Sequence, residues 1–221
     1  MPLFHEFKTE SDQHIAIWHV EEPLDFFEKE IGYHPPISNE QKRKEHIAGR
    51  FVLSYLHPSF PIHDIRPSPF GKPHLPEQSL QFSISHSGNY VAACWHPTHE
   101  QGIDLQCWTP KVEKIKGKFL SATEIEYCAA HPQGLLVAWT AKEAAFKYLN
   151  KQGVDFIQDL PIATFSIKDE NINIIINHNT NDDSVKIVIK SLIFNDFAFS
   201  FVEPYLFGRP YAFGLDIYNT F

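Results

Sequence analysis

The stretch HPQGLLVAWTAKEAAFKYLN, residues 131–150, decides how the chain is read. It is the strongest helix in the sequence. On a wheel of ~100° per residue with Leu135 at zero, Phe146 falls at about 20°, Trp139 at about 40° and Leu149 at about 320°. These three with Leu135 are the expected buried stripe. Lys142 falls inside it, at about 340°, where a lysine requires a partner or a snorkelling route to water. Glu143, at about 80°, lies on the stripe's edge, and Lys147 at about 120° shares its face as an i,i+4 pair. Taken alone, that pair reads as a surface ion pair worth roughly a few tenths of a kcal/mol. The embedded Lys142 argues for more.

Working outward, Ile15–Val20 reads as a strand and Pro23–Glu30 as a first helix. Ser38–Leu56 reads as a second helix, with Ser38 and Gln41 spaced as a capping box. Six prolines between His57 and Pro76 exclude a long helix or a central strand there and predict an ordered loop or a linker. Leu80–Trp95 reads as two strands around a Ser87-Gly88-Asn89 turn, and Gln101–Gln106 as another strand. Lys111–Ala130 is expected to be helical with a break near Ser121. After Gly153 the composition turns to Ile, Val, Phe and Thr. The segments Ala163–Ile167, Ile172–Ile176, Val185–Ile189 and Phe197–Val202 then read as antiparallel strands. This order predicts an α+β chain of two halves, an N-terminal lobe over 1–100 and a C-terminal lobe over 101–221.

The 221 residues are 43% hydrophobic and 21% charged, which is an ordinary globular balance. No apolar run reaches the ~20 residues of a membrane helix, so no membrane partner is expected. The opening MPLFHEFKTESDQ has neither a basic start nor an apolar stretch, and is not expected to be a secretion signal. Three scattered cysteines read as free thiols of a reducing compartment, hence a cytoplasmic location. A net charge of −8 disfavours duplex nucleic acid as the partner. It does not exclude an anionic small molecule held by a local cluster of Lys, Arg and His.

Four weaker signals carry possible chemistry. On a strand, Asp104 and Gln106 of GIDLQ share one face, where two oxygen ligands can begin a magnesium site. Ser85-His86-Ser87 beside a glycine turn can grip phosphate through hydroxyls, backbone N–H groups and imidazolium. Phe70-Gly71-Lys72-Pro73 presents a lysine on a stiffened loop. Cys94, His96 and His99 form a C-x-H-x-x-H string that also reads as a strand running into a loop at Pro97. Each of these has an ordinary reading as a turn or a solvated surface.

Their order is more specific. G-K-P, then S-H-S in a hairpin, then G-I-D, then W-x-x-K-E-A-x-x-K on a helix resembles the 4′-phosphopantetheinyl transferase superfamily, in its two-lobed, monomeric, carrier-protein-activating branch. The strand IAIWHVEE and the helix IAGRFVLSYL, with Arg50 in a structural role, extend the likeness over residues 15–150. The stretch Trp139–Lys147 is its specific part.

The resemblance implies a fold of two similar α/β lobes forming a pseudo-dimer. It implies transfer of the phosphopantetheine arm of coenzyme A to a serine of an apo acyl or peptidyl carrier protein, releasing 3′,5′-ADP. Asp104 and Glu143 align with the family's Mg²⁺ ligands, and Gln106 stands where many members carry a third, acidic ligand. Lys147 aligns with a phosphate contact, and Lys72, Ser85 and His86 with phosphate and 3′-phosphate contacts. Arg43 lies near the family's basic residue that approaches the nucleotide. Glu143, Lys147 and Asp104 are thus the expected catalytic set. Lys114 and Lys118, in a lysine-rich stretch after the Asp104 strand, are expected to border the carrier's docking site. Retention of Asp104, Glu143 and Lys147 together favours an enzyme. Gln106 leaves open a non-catalytic module that binds coenzyme A or the carrier.

Overall fold

The computed structural model describes residues 2–69, 71–77, 80–168, 171–180 and 184–204. Phe70 of the Gly-Lys-Pro loop and the stretch 205–221 of the expected second lobe lie outside the described residues. The chain runs β1 (Leu3–Lys8), β2 (His14–His19), α1 (Leu24–Ile31), α2 (Glu40–Leu56), the short pair β3 (Arg66–Pro67) and β4 (Pro73–His74), β5 (Gln81–Ser87) and β6 (Tyr90–His96). It continues with β7 (Ile103–Cys107), α3 (Pro110–Ile115), α4 (Ala122–Cys128), α5 (Gly134–Leu149), β8 (Ile162–Lys168), β9 (Asn171–Asn179), β10 (Ser184–Ile193) and β11 (Phe197–Val202). This is the α+β architecture that the sequence predicts.

The strands form a four-stranded sheet, β1-β2-β6-β5, and a five-stranded sheet, β7-β11-β10-β9-β8, besides the β3-β4 pair. On one face of the first sheet, Phe27, Ile47, Val52 and Leu53 of α1 and α2 pack on Ala16, Phe82 and Ala93. On one face of the second, Val137, Ala141, Ala144 and Ala145 of α5 pack on Ile174, Ile187 and Ile189. The two remaining sheet faces meet each other through Ile15, Ile17, Ala92 and Cys94 against Ile103, Leu105, Phe197 and Phe199. The central strands β2 and β6 are therefore buried on both faces, which is why IAIW and VAAC read as unbroken apolar runs.

At the seam between the sheets, β5 and β7 run side by side without pairing their backbones. Three serines of the S-I-S-H-S string bridge them. Ser83, Ser85 and Ser87, two residues apart and so on one face, accept through Oγ from Ile103 N (3.2 Å), Leu105 N (3.1 Å) and Cys107 N (3.0 Å).

A second close approach fixes α5. A Cβ on Gly102 would stand 2.2 Å from Ala144 O and 2.7 Å from Tyr148 Cβ, so only glycine admits α5 across the start of β7. This contact corrects the expected stripe on α5. Its fully buried face is the small-residue one, Val137, Ala138, Ala141, Ala144 and Ala145, because a helix this close to a strand has no room for larger groups. Leu135, Trp139, Phe146 and Leu149 flank it, half-buried.

Lys142 is buried as expected, with 0% exposure. Its ammonium donates to Phe119 O, Phe156 O and Glu124 Oε1, each at 2.8 Å. Glu124 Oε1 also accepts from Ile162 N (2.7 Å), and Oε2 from Ser121 N (2.6 Å). Every charge in the pair is thus satisfied, and losing one partner of such a pair costs roughly 3–5 kcal/mol. The capping box of the chain is this one, Ser121 with Glu124, at the expected helix break. The one expected at Ser38 does not form: Asn39 caps α2 by accepting from Lys42 N.

The proline-dense segment is an ordered loop, since Phe60, Ile62, Ile65 and Leu75 enter the first core. Unforeseen are the short β3–β4 pair within that loop and β1, whose residues alternate between half-buried and exposed at the sheet edge.

Ser83 is buried, and unlike Ser85 it makes no hydrogen bond to Asp104, Glu143 or Lys147. Ser83→Ala leaves the buried Ile103 N–H without its acceptor and is expected to lower unfolding stability by about 1–3 kcal/mol in a denaturant titration. A loss below about 0.5 kcal/mol would show that the hydroxyl bridge is dispensable.

Candidate active site

The seam opens into a cleft of about 400 Å³ lined by Ile84, Ser85, His86, Asp104, Leu105, Gln106, Trp139, Glu143 and Lys147. Three elements build it. β5 brings Ser85 and His86, β7 brings Asp104 and Gln106, and α5 brings Trp139, Glu143 and Lys147. The Gly102 crossing is what carries the α5 face onto β7. Three of the four sequence motifs thus converge here, although Ser85 and Lys147 stand sixty-two positions apart in the chain.

Asp104 is 7% exposed and central. Its Oδ1 accepts from Lys147 Nζ (2.7 Å) and from Ser85 Oγ (2.8 Å). Lys147 Nζ also donates to Ser85 Oγ (3.0 Å). Ser85 therefore braces the site: one hydroxyl holds the Asp104 carboxylate, the Lys147 ammonium and the β7 backbone together. Lys147 pairs with Asp104 across the seam instead of with Glu143 along its helix, so the i,i+4 spacing serves to aim both at the cleft.

Glu143 faces the same cleft. Burial pushes its carboxyl up to about 7, the Asp104 carboxylate adds to this, and Lys147 opposes it. Two carboxylates crowd one partly dry space with one ammonium between them. Gln106 turns its amide nitrogen to Ser87 Oγ (3.0 Å) and Cys107 O (3.1 Å), so its Oε1 is the end left to accept or ligate.

Among the described residues, no group of three His, Cys, Asp or Glu is placed to hold a metal. What the cleft offers is two carboxylates and one amide oxygen. That donor set fits a hard oxygen-seeking cation that keeps several waters, and it would relieve the crowding of Asp104 and Glu143. It does not fit zinc, which favours His and Cys. The Cys94–His99 string is no alternative centre. Cys94 Sγ is buried against Gln101 Oε1, and His96 Nδ1 accepts from Thr98 N (3.0 Å) and His99 N (2.9 Å), closing the turn after β6.

The other expected residues lie around this centre. His86 sits at the rim with Nδ1 3.5 Å from Glu45 Oε2 of α2. A neighbouring cavity of about 240 Å³ shares Ile84 and Lys147 with the cleft and adds Lys72, Pro73, Ser83, Phe146 and Lys151. Lys72 has turned its ammonium to Glu100 and to Gln101 O (2.8 Å). Arg43 lies apart from both cavities, with Nε 3.5 Å from Glu28 Oε1. Arg50 is buried, with its guanidinium over the Tyr33 ring at 5.4 Å, as a structural residue. Lys114 and Lys118 are exposed beyond β7, in the stretch that follows the exposed Trp108.

Sequence reasoning missed Glu100 and the bracing use of the serines. The S-x-S-x-S period of two was the available signal for the latter. Nothing in the sequence ties Glu100 to Lys72.

Residues 100–202 match the profile of the 4′-phosphopantetheinyl transferase superfamily. The chain is similar to the 4′-phosphopantetheinyl transferase AcpT of Escherichia coli K12, with 32% identity over 126 residues. The protein of the same name from Escherichia coli O157:H7 is similar to the same degree. In both cases the alignment covers 51% of this chain and 64% of the relative. The matched segment holds Asp104, Gln106, Glu143 and Lys147, the residues that the seam draws into one cleft, and it is over this segment that the chain is similar to the 4′-phosphopantetheinyl transferase superfamily.

Proposed function

We propose that this protein transfers the 4′-phosphopantetheine arm of coenzyme A to a serine of an apo acyl or peptidyl carrier protein, releasing 3′,5′-ADP. The observation that carries the reading is the joint placement of Asp104, Glu143 and Lys147 in one cleft. It is supported by the superfamily match over residues 100–202 and by the transferase activity for which the similar relatives are named. Residues 1–100 and 101–221 act as two lobes of a monomer with the cleft on their seam.

The cavity beside the cleft suits the nucleotide end of the substrate. Phe146, Pro73 and Ile84 supply apolar walls, and Lys72, Lys147 and Lys151 supply positive charge in a chain of net charge −8. His86, with Ser85, completes the phosphate-facing rim, while Arg43, turned to Glu28, takes no part in it. Asp104, Glu143 and Gln106 would hold Mg²⁺, which would draw charge from the pyrophosphate oxygens.

The carrier serine's oxygen forms a bond to the phosphorus that bears the pantetheine arm, and the bond from that phosphorus to 3′,5′-ADP breaks. Glu143, on the cleft wall, takes the hydroxyl proton. Lys147, already held by Asp104 and Ser85, meets the charge that builds on the leaving phosphate. Lys114, Lys118 and the exposed Trp108 form the face that an acidic carrier would dock against.

Intact-mass spectrometry of an apo carrier incubated with the protein, coenzyme A and Mg²⁺ should show a phosphopantetheine gain, with Glu143→Ala slower by roughly 10²–10⁴-fold. Coenzyme A binding without any gain on several carriers would assign the non-catalytic module instead. Gln106→Glu is expected to keep activity and lower the half-saturating Mg²⁺; an unchanged or higher value would remove Gln106 from the ligand set.

Glu143 also predicts a pH effect on stability. Its folded value, about 7, lies above the ordinary 4.5, so between these the folded protein keeps a proton that the unfolded chain has lost. In chelator, this group's contribution to stability is therefore present below pH 4.5 and lost as pH rises through about 7. Mg²⁺ should raise the melting temperature more at pH 8 than at pH 5, and Glu143→Gln should abolish most of that difference. Equal Mg²⁺ effects at both pH values would argue against a cation at this carboxylate.

A further inference from the structure

Lys72 lines the cavity beside the cleft, but its charge is spent elsewhere. The side chain is 9% exposed, and its ammonium donates to Glu100 Oε1 and to Gln101 O. The two contacts differ in kind. Gln101 is immobilised: its side chain is wholly buried, Oε1 accepts from Gln13 and from Cys94 Sγ, and Nε2 donates to His99 O (2.8 Å) and Glu100 O (3.1 Å). Gln13 in turn donates to Val202 O (3.3 Å). The carbonyl that steadies Lys72 is therefore fixed between both sheets. Glu100 is not: its side chain is 40% exposed, and it sits between β6 and β7, outside any helix or strand.

The positive charge of the cavity therefore includes one lysine that is already neutralised. Burial pulls the Lys72 ammonium below the ordinary lysine range, Glu100 opposes that, and the nearby Lys147 ammonium adds to it. An anion entering between Lys72 and Lys147 would satisfy both ammonium groups, and it would meet the Glu100 carboxylate as a like charge.

We propose that Glu100 sets the affinity for the phosphorylated nucleotide: its carboxylate occupies Lys72 in the ligand-free protein and must be displaced by a phosphate of the incoming ligand. This rests on the reading above that the cavity receives the nucleotide end of coenzyme A. Displacement is local. Glu100 can turn to solvent, while Gln101 O keeps Lys72 aimed at the cavity. Glu100 thereby acts as a competitor for the ligand's charge, and no bond of the ligand is made to it.

The test is isothermal titration calorimetry of the full chain with coenzyme A, 3′,5′-ADP and dephospho-coenzyme A. Glu100→Gln keeps the shape and one acceptor but removes the charge. It is expected to bind coenzyme A and 3′,5′-ADP about threefold to tenfold tighter than the unaltered protein, with a smaller gain for dephospho-coenzyme A. In a Lys72→Met background, Glu100→Gln should make no difference, since the charge it releases is absent. Unchanged or weaker binding by Glu100→Gln, with coenzyme A bound normally by the unaltered protein, would overturn the proposal and make Glu100 a brace for Lys72. An equal gain in the Lys72→Met background would overturn it too, by showing a general charge effect. If the unaltered protein binds neither coenzyme A nor 3′,5′-ADP, the functional reading itself fails and this proposal falls with it.

Discussion

The site depends on how closely a helix can pass over the start of a strand. Gly102 permits α5 to lie on β7 at backbone contact, and the small face of α5 follows from it. Everything chemical is then a matter of which residues stand on the exposed flank of that crossing. Glu143 and Lys147 are one turn apart on it and face the same cleft, and Lys147 reaches over to Asp104, which is on β7 two residues past the glycine. A side chain at Gly102 would lift the helix, and the carboxylates would separate before any of them was changed.

A second constraint is polar. Among the described residues the chain buries the Lys142 ammonium, the Asp104 and Glu124 carboxylates and the Gln13 and Gln101 amides, and each makes hydrogen bonds to more than one element. Lys142 ties α5 to α4 and to the carbonyls of Phe119 and Phe156, so the residue beside Glu143 is clamped where the helix must not rotate. Gln13 and Gln101 do the same at the opposite end of β7. Such groups contribute little net stability over apolar replacements, but they admit few alternative arrangements, and a cleft made by three separate elements requires that.

Much of this was legible in the sequence. The helices and the late strands follow from periodicity, and β2 and β6 from unbroken apolar runs, since these two strands are covered on both faces. Asp104, Glu143 and Lys147 were legible as a set only through the order of four short motifs, since no spacing rule predicts that Lys147 leaves its helical neighbour for an aspartate forty-three residues away. The face of α5 was misread because hydrophobicity ranks Leu and Phe above Ala, whereas closeness of approach selects Ala. The cap of α2 was misplaced by one residue because Ser38 and Asn39 are both good caps and only the backbone chooses. β1 escaped because an edge strand with one solvated face carries half the apolar signal of a central one. Glu100 escaped because a contact between two loops leaves no periodic trace at all.

The serine bridge between β5 and β7 has a consequence for how this gene can vary. The three hydroxyls work only because they share the phase of one strand, and Ile84 and His86 occupy the other. Replacing one serine removes one bridge and leaves the phase intact. Inserting or deleting a single residue within β5 inverts the phase, turning the hydroxyls beyond it away from β7 and an isoleucine or histidine toward it. β5 is thus tolerant of spelling and intolerant of length, and descendants of this chain should differ there by substitution while keeping the spacing of Ser83, Ser85 and Ser87 unchanged.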